Sequence, residues 1–201
     1  MTIVEDRPDA GYEIARKAMI DSQLRTSGVN ALFVLRRMGE VARERFVPPA
    51  LRSVAYMDRA VPLDGGRWLA APEVQGMMLQ EARPKATDRV LLVDGGSGYM
   101  AELLRPLVAS LDTIDPVAGA RGDAGETGFT LLVIDGAVEQ VPEALVARLA
   151  PEGRIITGIV SEGVTRLAVG RIAGGAAALL PVAEIGMPEL PEFAAPKKWT
   201  F

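Results

Sequence analysis

The sequence contains neither cysteine nor histidine. Without cysteine the chain can form no disulfide bond, and it has no thiolate to act as a nucleophile or metal ligand. Without histidine it can form no Ser-His-Asp triad, no imidazole general base and no histidine-built metal site. Any chemistry must therefore use carboxylates, Lys or Arg, hydroxyls, backbone amides or a bound cofactor, and we expect no metal centre.

Long apolar runs and an excess of basic residues are also missing. No apolar run reaches the roughly 18 residues that a membrane helix needs, and the acidic N-terminus is unlike a signal peptide. The 22 Lys and Arg residues are spread along the chain and are outnumbered by 26 Asp and Glu, which gives a net charge of -4. We therefore expect no membrane or nucleic-acid partner, and a cytoplasmic location that agrees with the lack of cysteine.

With 201 residues and 49% apolar content, the chain can bury one sizeable core. We predict a single domain over residues 1–201, in which 1–83 form a helical cap with a substrate loop and 84–201 form the core. Apolar residues at three-to-four spacing predict helices from about residue 12 to 45, interrupted at Gly28 and restarted with Asn30 as N-cap. Turn residues predict a loop over 47–72, and a short helix should follow over 73–81.

From residue 89 onward the pattern alternates between strand and helix. Strands are predicted over 90–93, 111–114, 129–134 and 154–160, helices over 100–108 and 142–149, and a loop over 116–128. The segments 167–172 and 177–182, separated by two glycines, predict a terminal hairpin. This order indicates an α/β fold with a mainly parallel sheet and an antiparallel edge.

A glycine loop follows the first of these strands, and an aspartate follows each of the first three. The loop reads Asp94-Gly95-Gly96-Ser97-Gly98, a composition that lets the backbone approach a ligand at a helix N-terminus. Ligands of open parallel sheets bind at the carboxyl ends of strands, where Asp115 could grip a ribose diol. A solvated turn residue is the alternative for Asp115, and an Asp-Gly turn alone would explain Asp135.

Several blocks of the sequence, in the same order along the chain, resemble the protein-L-isoaspartate O-methyltransferase family. The blocks are Met19–Leu24, Val34–Met38, Arg43–Pro48, Ala55–Leu63, the glycine loop, Val133–Pro142 and Leu149–Arg154. The resemblance covers roughly residues 15–170. It implies a Rossmann-like, S-adenosylmethionine-dependent methyltransferase fold whose members methylate the free carboxylate of isoaspartyl residues in proteins.

The resemblance also implies a set of cofactor-site residues. Gly96, Ser97 and Gly98 would face the methionine part of S-adenosylmethionine, Asp115 the ribose, and Gly122-Asp123 the adenine, with Ala124 in place of the family's last glycine. The candidate cofactor residues are Asp94, Gly96, Ser97, Gly98, Tyr99, Asp115, Asp123 and Asp135. An ionised carboxylate acceptor needs little general-base help, so the lack of histidine does not exclude this reaction.

The chain departs from the family pattern in three places. In the substrate loop, Arg67, Ala70, Ala71 and Pro72 stand where the family reads Gln, Ser, Gln and Pro, so two donors are lost, although Arg67 could bind a carboxylate instead. In the glycine loop, Leu92 replaces an acid, and Asp94 replaces a glycine. Asp94 would crowd the cofactor, adopt a left-handed backbone with a Cβ, or restore the lost acid two residues later.

The third departure is the short connection between Asp115 and Phe129, where the family has a helix and a further strand. We expect too few residues there for a crossover unit, and a newly exposed sheet edge that could support a homodimer. Three functions stay open: a carboxyl methyltransferase acting on a protein or peptide, a catalytically lapsed homologue with a degenerate active site that serves as a binding or assembly protein, and a different reaction on the same fold.

Overall fold

The computed structural model describes residues 8–123 and 125–196, and the first part of this region is helical. It comprises α1 (Pro8–Met19), which continues as a π-helical turn over Ile20–Leu24, then α2 (Leu32–Glu40) and α3 (Pro72–Ala82). Between α2 and α3 lie short 3₁₀ turns and a small antiparallel pair of strands, β1 (Val61–Pro62) and β2 (Trp68–Leu69). The predicted loop over 47–72 therefore contains more regular structure than expected.

The prediction that Asn30 caps the second helix is wrong. Ala31 is the N-cap of α2 and makes no side-chain cap, while the Gln80 Oε1 accepts hydrogen bonds from the Asn30 N–H at 2.9 Å and the Ala31 N–H at 3.0 Å. A side chain from α3, 50 positions from Asn30, therefore binds the two N–H groups that immediately precede the first residue of α2.

A six-stranded sheet forms the centre of the molecule. Its strands are β3 (Arg89–Val93), β4 (Ser110–Ile114), β5 (Phe129–Val138), β6 (Leu149–Ser161), β7 (Val164–Ala173) and β8 (Ala176–Glu184). The spatial order is β4-β3-β5-β6-β7-β8, with parallel pairing from β4 to β6 and antiparallel pairing from β6 to β8. The predicted α/β class with an antiparallel hairpin is confirmed.

Three short helices connect the strands: α4 (Tyr99–Leu104), α5 (Pro116–Arg121) and α6 (Glu143–Val146). The prediction of a loop over 116–128 is wrong, because α5 begins there with Asp115 as its N-cap and a proline in its first position. The expectation of too few residues for a crossover unit is wrong as well: β4 and β5 both run parallel to β3, which lies between them, so the short connection with α5 crosses over β3. The helix predicted over 142–149 ends at Val146, and β6 begins earlier than expected.

Both faces of the sheet are covered, so successive residues of β3 enter different cores. Val90 and Leu92 pack in the larger cluster with the helices of the first part of the chain, whereas Leu91 and Val93 pack with Phe193 in the smaller one. This is the period-two alternation of a strand, and burial on both faces explains its continuous apolar sequence. Over the described residues, every helix is too short or too polar to cross a bilayer.

Candidate functional site

The glycine loop connects the carboxyl end of β3 to the N-terminus of α4. Gly96 and Gly98 have φ angles of 109° and 73°, which side-chain-bearing residues rarely adopt, and Gly98 is the N-cap of α4. Gly95 meets a different requirement, since a Cβ there would lie 2.3 Å from the backbone oxygen of Asp135. The loop therefore needs one glycine for contact with β5 and two for its own turn.

Asp94 folds its carboxylate back onto this loop. Its oxygens accept hydrogen bonds from the N–H groups of Gly96 and Gly98, each at 3.1 Å. Burial raises the pKa of Asp94, and the two backbone hydrogen bonds oppose that rise. The expected left-handed backbone is wrong, because Arg83 and Glu162 are the only described non-glycine residues with positive φ.

Asp115 lies beside the loop, at the carboxyl end of β4. Its Oδ1 accepts a hydrogen bond from the Ala118 N–H at 2.9 Å and so caps α5, while the side chain stays exposed. A cavity of about 380 Å³ separates the glycine loop from Asp115. It is lined by Arg67, Asp94, Gly96, Thr113, Ile114, Asp115, Pro116 and Val117. We call this cavity the strand-end cleft.

Ser97 is not among the described residues that line this cleft. Its hydroxyl oxygen accepts a hydrogen bond from the Tyr99 N–H at 3.1 Å. With Gly96, Arg45 and Phe46 it lines an adjoining cavity of about 300 Å³. Of the loop residues predicted to bind the cofactor, Asp94 and Gly96 thus line the strand-end cleft, Gly96 and Ser97 line the adjoining cavity, and Gly98 lines neither.

Arg67 extends over the glycine loop from the turn between β1 and β2. A Cβ placed on Gly96 would lie 2.8 Å from the Arg67 Cγ, which shows how closely the side chain covers the loop. The guanidinium forms a two-pronged ion pair with Glu192, with N···O distances of 2.6 and 3.1 Å. Sequence reasoning did not select Glu192, which is 125 positions away and carries no motif.

The other predicted substrate-loop residues face the interior. Ala70 and Ala71 are 4% and 8% exposed, and Pro72 begins α3 in a buried position. The backbone oxygen of Ala70 accepts a hydrogen bond from the Arg43 guanidinium. None of these three belongs to the described residues that line the strand-end cleft.

A buried polar network supports the glycine loop from below. The fully buried Arg43 donates hydrogen bonds to the Ala55 oxygen and to the Gln75 Oε1, each at 2.8 Å, and lies 5.0 Å from the centre of the Tyr99 ring. The Gln75 side-chain amide in turn donates to the Asp135 carboxylate at 3.2 Å. Arg43 and Gln75 were missed at the sequence level, although Arg43 lies in one of the blocks that carry the family resemblance.

Asp135 and Tyr99, both predicted to bind the cofactor, lie within this network and not in the cleft. Burial first, and then the neighbouring Asp94 charge, raise the pKa of Asp135 to about 7 against the opposing effects of Gln75 and Arg43. Tyr99 is fully buried, and its hydroxyl has no hydrogen-bond partner among the described residues.

The predicted adenine-side residues lie beyond α5. Gly122 packs closely against α6, since a Cβ there would be 2.4 Å from the Ala144 Cβ. Asp123 is exposed and is not one of the described residues lining the strand-end cleft. Ala124 lies outside the described residues.

The fold and several stretches of sequence match known proteins. A crystal structure described as a protein-L-isoaspartate O-methyltransferase from Plasmodium falciparum, in complex with S-adenosyl-L-homocysteine, superimposes with a TM-score of 0.69. It covers 90% of this chain and 98% of that chain at 17% identity, which is a likeness of fold. The family model of protein-L-isoaspartate(D-aspartate) O-methyltransferase matches residues 15–115.

Individual relatives extend this match over most of the chain. A protein-L-isoaspartate O-methyltransferase of Koribacter versatilis is 31% identical over 84% of this chain and 87% of its own length. This chain belongs to the protein-L-isoaspartate O-methyltransferase family. A further relative of the same description, from Aeropyrum pernix, is 36% identical over 74% of this chain and 68% of its own length. The predicted family membership and Rossmann-like methyltransferase fold are both confirmed.

Proposed function

We propose that this chain is an S-adenosylmethionine-dependent methyltransferase that acts on carboxylates of proteins, in particular those of isoaspartyl residues. The observation that carries the proposal is the convergence of Arg67, Asp94, Gly96 and Asp115 on one cleft at the carboxyl ends of β3 and β4. Ligands of open parallel sheets bind at such a position. The solved family member from Plasmodium falciparum was crystallised with S-adenosyl-L-homocysteine.

The residues of the strand-end cleft suit this cofactor. Asp94 offers a carboxylate for its ammonium group, because a carboxylate retains acceptor capacity beyond the two backbone hydrogen bonds that it accepts. Asp115 is exposed and uses its Oδ1 as the cap of α5, so its other carboxylate oxygen could accept a hydrogen bond from a ribose hydroxyl. Gly96 has no side chain, so it leaves space for the cofactor in the strand-end cleft. The cofactor, when bound, supplies the electrophilic methyl group.

The remaining candidate residues act in different places. Ser97 and Gly98 belong to the glycine loop itself, and Asp123 would lie towards the adenine. Tyr99 and Asp135 would act by holding the loop from below, because both are buried beneath it. The acceptor is a carboxylate that is already ionised near neutral pH, so the chain has to bind and align it and needs no imidazole base. A reducing cytoplasm is part of the proposal, supported by the lack of cysteine.

Calorimetric titration with S-adenosylmethionine tests the proposal directly. We expect saturable binding to the unaltered chain and at least tenfold weaker binding to the Asp94→Asn variant, because the carboxylate partner of the ammonium group becomes neutral. Asp112→Asn, on β4 but not among the cleft-lining residues, is the control and should bind like the unaltered chain. Absence of saturable heat at millimolar cofactor would refute the proposal.

A lapsed methyltransferase that binds partners without transferring a methyl group is the second candidate. It is favoured by the interior position of the donor-free Ala70 and Ala71, and by the carboxylate of Asp94 on the loop N–H groups. Tritium transfer from labelled S-adenosylmethionine to an isoaspartyl peptide separates the two candidates. Multiple turnovers exclude the lapsed form, whereas cofactor binding without turnover supports it.

A further inference from the structure

Arg67 is the only cationic side chain among the described residues that line the strand-end cleft. An acceptor carboxylate entering this cleft needs a donor, and Ala70 and Ala71 supply none from the adjacent substrate loop. A guanidinium binds a carboxylate through two parallel hydrogen bonds and so fixes both its position and its orientation. The chemistry of the cleft therefore assigns carboxylate recognition to Arg67.

The guanidinium of Arg67 already forms an ion pair with the carboxylate of Glu192. The ion pair has the two-pronged geometry of a bound carboxylate, and the two side chains remain 23% and 21% exposed. Hydrogen bonding to Arg67 lowers the pKa of Glu192, whereas the nearby Asp115 charge raises it. A carboxylate of the chain itself is thus bound to the cationic side chain of the cleft and lies near Asp115.

The fold holds Glu192 there through its neighbours. Phe193 is 1% exposed and packs against α5, and the Leu190 N–H donates to the Ala137 oxygen at 2.8 Å. These contacts attach the turn Pro191–Phe193 to the ends of the sheet, independently of the Glu192 side chain. A carboxylate attached in this way competes with a free one at a high effective concentration.

On the basis of the proposed function, we propose that Arg67 binds the acceptor carboxylate of the protein substrate and that Glu192 holds this position until the substrate displaces it. Glu192 is then an internal mimic of the acceptor. An isoaspartyl residue presents a carboxylate of the same charge and shape, on an exposed stretch of chain. An acceptor carboxylate must therefore compete successfully with Glu192 for Arg67 before it reaches the glycine loop.

Fluorescence of Trp68 can measure this competition. Trp68 follows Arg67 and is 46% exposed, and a Trp199→Phe background leaves it as the single tryptophan of the chain. An isoaspartyl hexapeptide is titrated into this background and into its Glu192→Gln, Arg67→Gln and Glu189→Gln forms. Glu189 is exposed and in the same segment, so Glu189→Gln makes the same charge change away from Arg67.

We expect Glu192→Gln to bind the hexapeptide at least tenfold more tightly than the background, and Glu189→Gln to bind it equally. Arg67→Gln should lose binding of the hexapeptide. The same hexapeptide with a carboxamide in place of the carboxylate should show no difference in affinity between the forms. Equal binding by the background and Glu192→Gln would overturn the proposal, as would failure of all forms to bind.

A purely structural ion pair gives a different pattern. Glu192→Gln and Arg67→Gln would then lower the melting temperature by similar amounts and leave peptide affinity unchanged. The hexapeptide titration contains no cofactor and tests the role of Arg67 and Glu192. The proposed function is tested separately, by the calorimetric titration with S-adenosylmethionine. Failure of one proposal is therefore distinguishable from failure of the other.

Discussion

Asp135 lies under the glycine loop as a buried carboxylate whose only described hydrogen-bond donor is the Gln75 amide. Burial makes ionisation costly, and the partly buried Asp94 adds a like charge nearby. Arg43 attracts this charge through the Gln75 bridge and does not contact it directly. The protonation state of Asp135 therefore couples the stability of the fold to pH.

The pKa of Asp135 rises from 3.8 to about 7 in the folded chain. Between these values the folded protein holds a proton that the unfolded chain has lost, so this group decreases stability as pH rises through the interval. Asp135→Asn keeps an acceptor for Gln75 but carries no ionisable group. We expect its free energy of unfolding, relative to that of the unaltered chain, to increase by at least about 1 kcal/mol from pH 5 to pH 8.

Urea unfolding of both proteins at four pH values across this range measures the difference. Asp123→Asn, which removes an exposed carboxylate, is the control. A stability difference between Asp135→Asn and the unaltered chain that does not change with pH would contradict the assignment.

The position of Asp94 was predictable from sequence, because it follows the continuous apolar run of β3, and Asp115 also lies at the end of its predicted strand. Asp135 was predicted to follow the third strand, but β5 continues to Val138 and contains it. The partners of the site residues were not predictable. Glu192 reaches Arg67 across 125 positions, and Gln75 joins Arg43 to Asp135 across 60 positions on one side and 32 on the other. Such pairs depend on the packing of separate elements, about which local composition carries no information.

At the level of elements, α5 depends on Asp115 for its beginning. The carboxylate satisfies the Ala118 N–H, and Pro116 supplies a helical φ without needing a donor partner. The sequence of this segment, rich in glycine and alanine, has no apolar stripe long enough to predict a helix. The cap and the packing of α5 against Phe193 stabilise a helix that the spacing of apolar residues did not predict.

Two substitutions separate the structural role of Asp115 from its proposed role in cofactor binding. Asp115→Ala should cost about 1 kcal/mol through loss of the cap and should also weaken S-adenosylmethionine binding. Asp115→Ser keeps a capping oxygen, so it should retain stability yet bind the cofactor as weakly as the alanine variant. Unfolding and calorimetry of both variants check this, and cofactor binding by Asp115→Ser equal to that of the unaltered chain would exclude the ribose role.

The contact between α5 and α6 depends on Gly122. Its φ of 64° resembles the 67° of Gly65, but a Cβ at Gly65 would have no atom within 4 Å, whereas one at Gly122 would meet Ala144. We expect Gly65→Ala to cost about 1 kcal/mol through backbone strain, and Gly122→Ala to cost at least twice as much. Equal losses of unfolding free energy in the two variants, measured by urea unfolding, would contradict this and show that α6 shifts to make room for the added methyl group.

At the scale of the whole molecule, β4 forms one edge of the sheet. Among the described strands it pairs with β3 alone, as expected from the short connection that follows it. The backbone oxygen of Ile114 accepts from the Asp94 N–H on the β3 side, so the backbone groups of Thr113 point away from β3. An unpaired edge of this kind can join a second sheet.

We predict that two copies associate through this edge. We expect sedimentation velocity at micromolar concentration to show a dimer of the unaltered chain and a monomer of Thr113→Lys, which places like charges opposite each other in such a pair. Thr127→Lys, at an exposed position outside β4, is the control and should leave the dimer intact. A monomer in all three samples would contradict the prediction.

The hydrogen bonds from the glycine loop to Asp94 also determine which nucleotides this chain can accept. Loops of this shape often bind phosphate through free N–H groups, but here a negative charge of the chain already holds them. A phosphorylated nucleotide would meet Asp94 and Asp115 with charges of the same sign and would gain no new donor from these two amides. A nucleoside with a positive charge and no phosphate meets no such repulsion from these two carboxylates, and the charge of Arg67 is balanced by Glu192, so the cleft can discriminate against ATP and dinucleotides by charge.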